Sequence, residues 1–399
     1  MGLPRQEPVS DTRRRDRVLV GRTEPADDLE IVAAIGSHVR DATGRRYIDL
    51  QMGWCVGNLG WSPPEIMERV RRYAGPSYVA PHALYAPWVE LAEALLEFAP
   101  GRLSRAYRCV SGTESVELAM QLAMAHTGRH KIVSIEDAYH GNSLGAKSAG
   151  HPATAHLLGF RKLAPPLDAR ALDRLETLLK PHDVAAFIME PTILNLAVTI
   201  PDVEFMRGLV ALCHRHGTLV IMDEVATGFG RTGRRFAVEH HGLDPDIMTL
   251  GKAITNGVAP LAATLVTPEI ARATAGELSF YSTFGWQPLA VEAALAVLAY
   301  WRDRGDILLS AIGDRSAEMR RRLASMPLPD DAEIRIQGLA VGVTIGDPAR
   351  VRRVVRRCRE HGVLIGDDDD AIVLFPALTI DAATLGDAMD VLEDALRGR

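Results

Sequence analysis

Between about residues 105 and 267, short apolar runs alternate with helix-length stretches, and this alternation constrains the fold more than any other feature of the chain. The strand candidates are SRAYRCVSG, HKIVSIE, VAAFIME, TLVIMDE, PDIMTL and LAATLVT, and the helical segments between them include ESVELAMQLAMAH and VEFMRGLVALCHRH. A strand covered on both faces carries apolar residues at successive positions, whereas a strand with one wet face alternates. These runs do not alternate. They predict an α/β fold whose largely parallel sheet is covered by helices on both sides. Outside this region, GSHVRDATGRRYIDL reads as a hairpin turning at Thr43-Gly44, and PLAVEAALAVLAYWRDR after about residue 290 reads as a long helix. The DDDD run at 367–370 reads as a charged turn before the strand AIVLF. The expected division is a flexible arm over 1–25, a large domain over 71–295, and a smaller α+β domain built from 26–70 and 296–399.

Several classes of function are excluded by the bulk chemistry. The net charge of −6 gives no reason to expect nucleic acid or an anionic membrane as a partner. No run of about 18 uncharged apolar residues is present, so no membrane span is expected. The basic start, MGLPRQEPVSDTRRRDR, has no apolar segment behind it and is not a secretory signal. Cys55, Cys109, Cys213 and Cys358 form no CxxC pair, which fits reduced thiols better than a disulfide framework or a metal site. The expectation is a cytoplasmic enzyme that binds no metal.

In an open α/β sheet, ligands bind outside the carboxyl ends of the strands. The stretch TLVIMDEVATGFGRTG (218–233) ends an apolar strand on two acids, Asp223 and Glu224. Such an acid either caps the next element or meets a ligand. CVSGTESVELAMQLAMAH puts Ser111, Gly112 and Thr113 at a helix start, where free N–H groups and the helix dipole bind phosphate. The same residues also read as a plain N-cap. EDAYHGNS (136–143) ends another strand on Tyr139 and His140, which could stack on a flat ring or fill core. Lys252 follows the strand DPDIMTL. A lysine in a partly desolvated pocket loses its proton easily and becomes an amine able to form Schiff bases. Phosphate cradle, aromatic lid, strand-end acid and lysine together match pyridoxal phosphate, whose pyridine nitrogen an acid keeps protonated. The glycines of GFGRTG do not make a dinucleotide site, since they follow the acid and lack GxGxxG between strand and helix.

On these residues the chain resembles the class III (subgroup II) aminotransferases among the fold type I pyridoxal-phosphate enzymes, from about Ala33 to Asp390. The resemblance is carried by DEVATGFGRTG with PDIMTLGKAITNG, by SGTESVELAMQLAMAHTGRHKIVSIEDAYHG, and by YSTFGWQPLAVEAALA. It implies a mostly parallel seven-stranded sheet sandwiched by helices, with a smaller α+β domain from both chain ends. It also implies that Lys252 carries the cofactor as a Schiff base and that Asp223 pairs with the ring nitrogen. Gly112 and Thr113 would then bind phosphate, with Tyr139 on one ring face and Val225 on the other. Thr283 would reach the phosphate of a partner's cofactor, making the protein a homodimer. Glu190, before Pro191, occupies a strand-end acid position common in the family, with the implied role of orienting nearby loops.

The departures from the family pattern concern the substrate. Ala226 stands where many members have a glutamine that reaches the cofactor's phenolic oxygen. Asn195 and Val373 stand where many have a glutamate and the arginine that it screens, the arginine gripping a substrate carboxylate. A neutral residue cannot replace that bidentate contact. Arg335, Arg231 or an amino-terminal arginine could replace the grip. Asn195, the SGTE phosphate loop, the absent arginine and Trp54 in QMGWCVGN resemble the glutamate-1-semialdehyde aminomutase branch, whereas GFGRTG resembles ordinary transaminases. Trp54 reads equally as a wall of the substrate pocket or as core. Trp286 and Gln287 beside Thr283 could narrow the pocket at the dimer interface. The expected function is transfer of an amino group between an amine or amino acid and a keto or aldehyde acceptor. An intramolecular aminomutase or racemase, and a catalytically inactive binding protein of the same fold, are the alternatives.

Overall fold

A computed structural model describes residues 29–151, 157–276 and 278–398. The expected arm, 1–25, lies outside the described residues. Near the amino end, β1 (Ile31–Ile35), β2 (His38–Asp41) and β3 (Arg46–Asp49) form an antiparallel meander. The hairpin between β2 and β3 turns over 42–45, as expected, and Asp41 clamps it by accepting from the N–H groups of Thr43 and Arg45.

The central sheet has seven strands: β4 (Arg105–Cys109), β5 (Lys131–Ile135), β6 (Phe160–Leu163), β7 (Val184–Met189), β8 (Leu219–Asp223), β9 (Ile247–Leu250) and β10 (Ala262–Val266). Their spatial order is β4-β10-β9-β8-β7-β5-β6. The pairings among β9, β8, β7, β5 and β6 are parallel. β10 runs antiparallel to both β9 and β4, so the run LAATLVT is the one reversed strand in an otherwise parallel sheet. Every residue of β7 and β10 is buried, which explains why their sequences show no alternation. β6 is missing from the sequence reading. It is an edge strand of four residues that carries Arg161 and Lys162, and so lacks the apolar run that marks its neighbours.

Because β10 alone is reversed, β4, β5, β7, β8 and β9 all end at the same edge of the sheet. The helix Gly112–Thr127 follows β4 and buries Val116, Leu118, Ala119, Met120, Leu122 and Ala123. Gly128, at φ 68°, ends it in the left-handed conformation that a glycine adopts without steric cost.

The carboxyl-terminal part begins with a helix far longer than the sequence stretch suggested, Pro288–Ala324, continuous through residue 295. A second antiparallel sheet follows, built from β11 (Glu333–Gln337), β12 (Ala340–Thr344), β14 (Gly366–Asp368) and β15 (Ala371–Leu374). The two-residue β13 (Val363–Leu364) instead joins β3 in parallel and ties the carboxyl end of the chain to its beginning. The acidic run at 367–370 is only half a turn. Asp367 and Asp368 pair in β14 with Ile372 and Ala371, and the Asp368 carboxylate accepts the Ala197 N–H at 2.6 Å. Among the described residues, no helix is long and apolar enough to cross a membrane. All four cysteines are free and buried.

Candidate active site

Ser111, Gly112, Thr113, Tyr139, His140, Glu190, Asp223, Val225 and Lys252 line one cavity at the carboxyl edge of the central sheet, together with Gly141 and Ala226. They come from the ends of β4, β5, β7, β8 and β9. The strand-end rule that singled them out in the sequence is therefore met in space.

The phosphate-cradle and N-cap readings of Ser111 are compatible. Its hydroxyl accepts the Glu114 N–H at 3.2 Å, and Glu114 reaches back to the Val110 N–H at 2.5 Å. These bonds leave the Gly112 and Thr113 N–H groups at the positive end of a sixteen-residue helix. A Cβ on Gly112 would lie 2.7 Å from Val225 Cγ1, so only glycine lets the helix start approach this wall.

Asp223 is 3% exposed, yet it is well supplied with donors. Its Oδ1 accepts from Thr249 Oγ1 at 2.9 Å and from the Val225 N–H at 3.1 Å. Its Oδ2 lies 2.7 Å from His140 Nδ1, and the other ring nitrogen of His140 has no partner. A buried carboxylate held by three donors is fixed in orientation and presents acceptor oxygens to a cationic partner. Its neighbour Glu224 does something else. Glu224 caps the turn that follows, with Oε1 accepting the Val238 N–H at 2.8 Å and Oε2 bonded to Thr227. Burial pushes its carboxyl up to about 7.

Lys252 opens a short 3-10 turn directly after β9, with its backbone at φ 46°. A non-glycine residue in this region is strained, and such strain concentrates at functional sites. Nothing in the local sequence announced it. The chain has only five lysines, and Lys131, Lys147, Lys162 and Lys180 do not line this cavity. Tyr139 forms another wall. Its hydroxyl accepts from Asn142 Nδ2 at 3.0 Å, and burial followed by the charge of Asp223 raises its pKa.

Other expected residues lie elsewhere. Asn195 is outside the cavity; it lines an adjoining cleft with Tyr139, Lys147, His151 and Asp368, and its amide donates to the Asp137 carbonyl at 3.3 Å. Trp54 does not line the cavity either. It is 39% exposed, with its ring 5.5 Å from that of Phe375. Thr283 is exposed on this chain and does not reach the cavity. Trp286 is core and does not narrow a pocket. It is 1% exposed, donates from Nε1 to the Ala262 carbonyl and accepts from Trp88 at its own carbonyl.

Among the described residues, neither Arg335 nor Arg231 takes the place of the missing carboxylate grip, and the amino-terminal arginines lie outside the described residues. Val373 is fully buried in an apolar cluster with Cys55, Leu194, Val198, Ala340 and Phe375. Arg335 is engaged by Glu333, the Ala197 carbonyl and Thr344. Arg231 is fully buried and spends its donors on the carbonyls of Leu339 and Pro376 and on Asn58 Oδ1. Both arginines have structural work in the chain.

The cavity thus joins a helix start suited to an anion, a buried carboxylate, an aromatic wall and one lysine amine. Residues 21–396 match the family model of the class III aminotransferases, and the chain belongs to that family. It is a pyridoxal-phosphate-dependent transaminase, whose substrates are small amino and keto compounds. The acetylornithine aminotransferase of Methanopyrus kandleri is 36% identical over 374 residues, covering 92% of this chain and 94% of that one. An uncharacterized aminotransferase of Bacillus subtilis is 33% identical over 389 residues, covering 87% of this chain and 85% of its own. Among solved structures, a Bacillus anthracis aminotransferase superposes with a TM-score of 0.90 at 26% identity, over 97% of this chain and 98% of that one. A pyridoxal-phosphate-bound amine transaminase from an uncultivated Pseudomonas species gives 0.87 at 27% identity, over 95% and 97%.

Proposed function

We propose that Lys252 is the amine that binds the aldehyde of pyridoxal phosphate, with Asp223 opposite the ring nitrogen and Gly112, Thr113 and Ser111 around the phosphate. The observation that carries this reading is the convergence of those groups on one cavity from the ends of separate strands. The residues suit the group: the cradle is anion-binding, a cationic ring nitrogen satisfies Asp223, and Tyr139 and Val225 are walls for a flat ring. When bound, the cofactor supplies an electron sink for the carbanion left as the substrate Cα–H bond breaks. The Lys252 Nζ would take the proton from the substrate carbon and return it at the aldehyde-derived carbon. Thr249, Val225 and His140 hold the Asp223 carboxylate in one orientation.

The amino donor is bound without an arginine on its carboxylate. Buried Val373 and the engaged Arg335 and Arg231 support this, and so favour amines over dicarboxylic amino acids. Thr283 is assigned to the neighbouring subunit's phosphate site in a homodimer. Its exposure, and the exposed Tyr78, Leu84, Tyr281 and Phe284, support a subunit contact there. The protein is placed in the cytoplasm, with the larger domain over 71–295 and the smaller one over 26–70 and 296–399. Trp54 and Asn195 are assigned to the substrate entrance. The experiment is a spectroscopic screen that follows conversion of the bound cofactor to its amine form with candidate donors. Stoichiometric keto product from a separate donor supports transamination. Product from one substrate with no donor consumed would instead give the intramolecular reaction to which Asn195 and Val373 bear some likeness.

A further inference from the structure

Two buried carboxylates share the cavity, and they are treated very differently by their surroundings. Asp223 has three donors. Glu190 is 4% exposed, and its Oε2 has no hydrogen-bond partner at all. Burial first, and the charge of Asp223 second, raise its pKa well above the usual carboxylate range. Lys252 and the backbone N–H groups of Leu194 and Asn195 pull the other way. Carboxylates that share a dry cavity oppose each other's ionisation, and the proton goes to the member with fewer donors. That member is Glu190. An ionised, unpartnered oxygen there would carry a large desolvation cost, whereas a protonated one is a donor that needs an acceptor.

The order of the strands indicates which acceptor. The helix start at Gly112 follows β4, and β9, β8 and β7 then succeed one another across the sheet with Lys252, Asp223 and Glu190 at or just beyond their ends. On the cofactor ring, the phenolic oxygen lies across the aldehyde carbon from the phosphate arm. With the arm at Gly112, the aldehyde at Lys252 and the ring nitrogen at Asp223, the hydroxyl-bearing edge would face β7. Ala226 presents only a methyl group to the cavity, and the Asn195 amide is turned to the Asp137 carbonyl outside it.

We propose that Glu190 is a neutral carboxylic acid whose Oε2–H donates to the phenolic oxygen of the bound cofactor. This rests on the cofactor reading above. A donor on that oxygen weakens its hold on the proton that it shares with the lysine nitrogen, so removing the donor moves the pH midpoint of the cofactor's visible band upward. The test compares holoenzyme with Glu190→Gln, which keeps a donor of the same shape, and Glu190→Leu, which does not. The expected midpoint is unchanged in Glu190→Gln and higher by about one unit, tenfold in proton affinity, in Glu190→Leu. In infrared spectra of the holoenzyme at neutral pH, the difference between the parent protein and Glu190→Gln is expected to show the carbonyl stretch of a protonated carboxylic acid, because any contribution from Glu224 is common to both and cancels. This second reading stands even if Glu190→Leu does not fold. No such stretch in the difference spectrum, or an unmoved midpoint in Glu190→Leu, overturns the role of Glu190 and leaves the cofactor reading intact. A visible band that survives Lys252→Ala overturns both.

Discussion

His140 Nδ1 lies 2.7 Å from Asp223 Oδ2, and both side chains are withdrawn from solvent. The two residues are 83 apart in sequence and meet because β5 and β8 end at the same edge. On the proposed reading His140 acts through Asp223, fixing the carboxylate assigned to the ring nitrogen. A hydrogen bond to a charged group is worth ~1.5–3 kcal/mol, so His140→Ala is expected to slow the amine half-reaction by about 10- to 100-fold. Stopped-flow measurement of the cofactor band reads this directly, with thermal unfolding as the control for folding. An unchanged rate would remove His140 from the site.

Gly112 and Val225 meet too closely for a side chain to stand between them. The Cβ of Gly112→Ala would sit 2.7 Å from Val225 Cγ1 and 3.1 Å from Cγ2. Overpacking of this kind costs ~1–3 kcal/mol and falls on the wall that faces the phosphate loop. Gly112→Ala is expected to weaken cofactor retention about tenfold, and adding Val225→Ala to restore part of the loss. Equilibrium dialysis against pyridoxal phosphate checks both. Full retention in the single variant would show that the helix start does not need this approach.

Glu224 makes stability depend on pH. Burial raises its carboxyl from 4.5 to about 7, so the folded state binds this proton more tightly than the unfolded state. Its stabilising contribution is complete below about pH 4.5 and is lost as pH rises through 7. At about 1.4 kcal/mol per pH unit, the full loss is on the order of 3–4 kcal/mol. Glu224→Gln keeps an acceptor for the Val238 N–H and cannot ionise. Denaturant titrations should show this variant gaining on the parent as pH rises from 5 to 8. A constant difference across that range would contradict the assignment.

Subunit exchange tests Thr283. If its hydroxyl serves the partner's site, Lys252→Ala and Thr283→Val chains mixed after dissociation form heterodimers with one intact site. Neither pure variant has such a site. Regained activity in the mixture is expected, approaching half that of the parent per heterodimer. No gain, with exchange verified by mass, would place Thr283 outside the catalytic assembly.

The legible and the hidden parts of this molecule divide along a physical line. The buried strands were readable because a parallel strand stamps consecutive apolar residues on the sequence, as in VAAFIM and IMTL. The meeting of Lys252, Asp223 and the 111–113 turn in one cavity was readable because strand ends gather at one edge of such sheets. The edge strand β6 was not, since it has no two-sided burial to record. The left-handed backbone of Lys252, the His140–Asp223 contact and the lone oxygen of Glu190 depend on atoms brought together from distant segments. The same is true of Trp286, whose burial is set by Trp88 and Ala262. Asp368 was obscured by its neighbours, because a run of four acids reads as solvated turn even when one member caps a loop in a half-buried cleft.

Borohydride reduction of the cofactor-loaded protein, followed by peptide mapping, tests the central assignment most directly. The five lysines give the experiment four internal controls. The account predicts one pyridoxyl adduct per chain, on Lys252, and none in Lys252→Ala. An adduct on Lys131, Lys147, Lys162 or Lys180 instead, or no adduct on a folded and loaded protein, would contradict it.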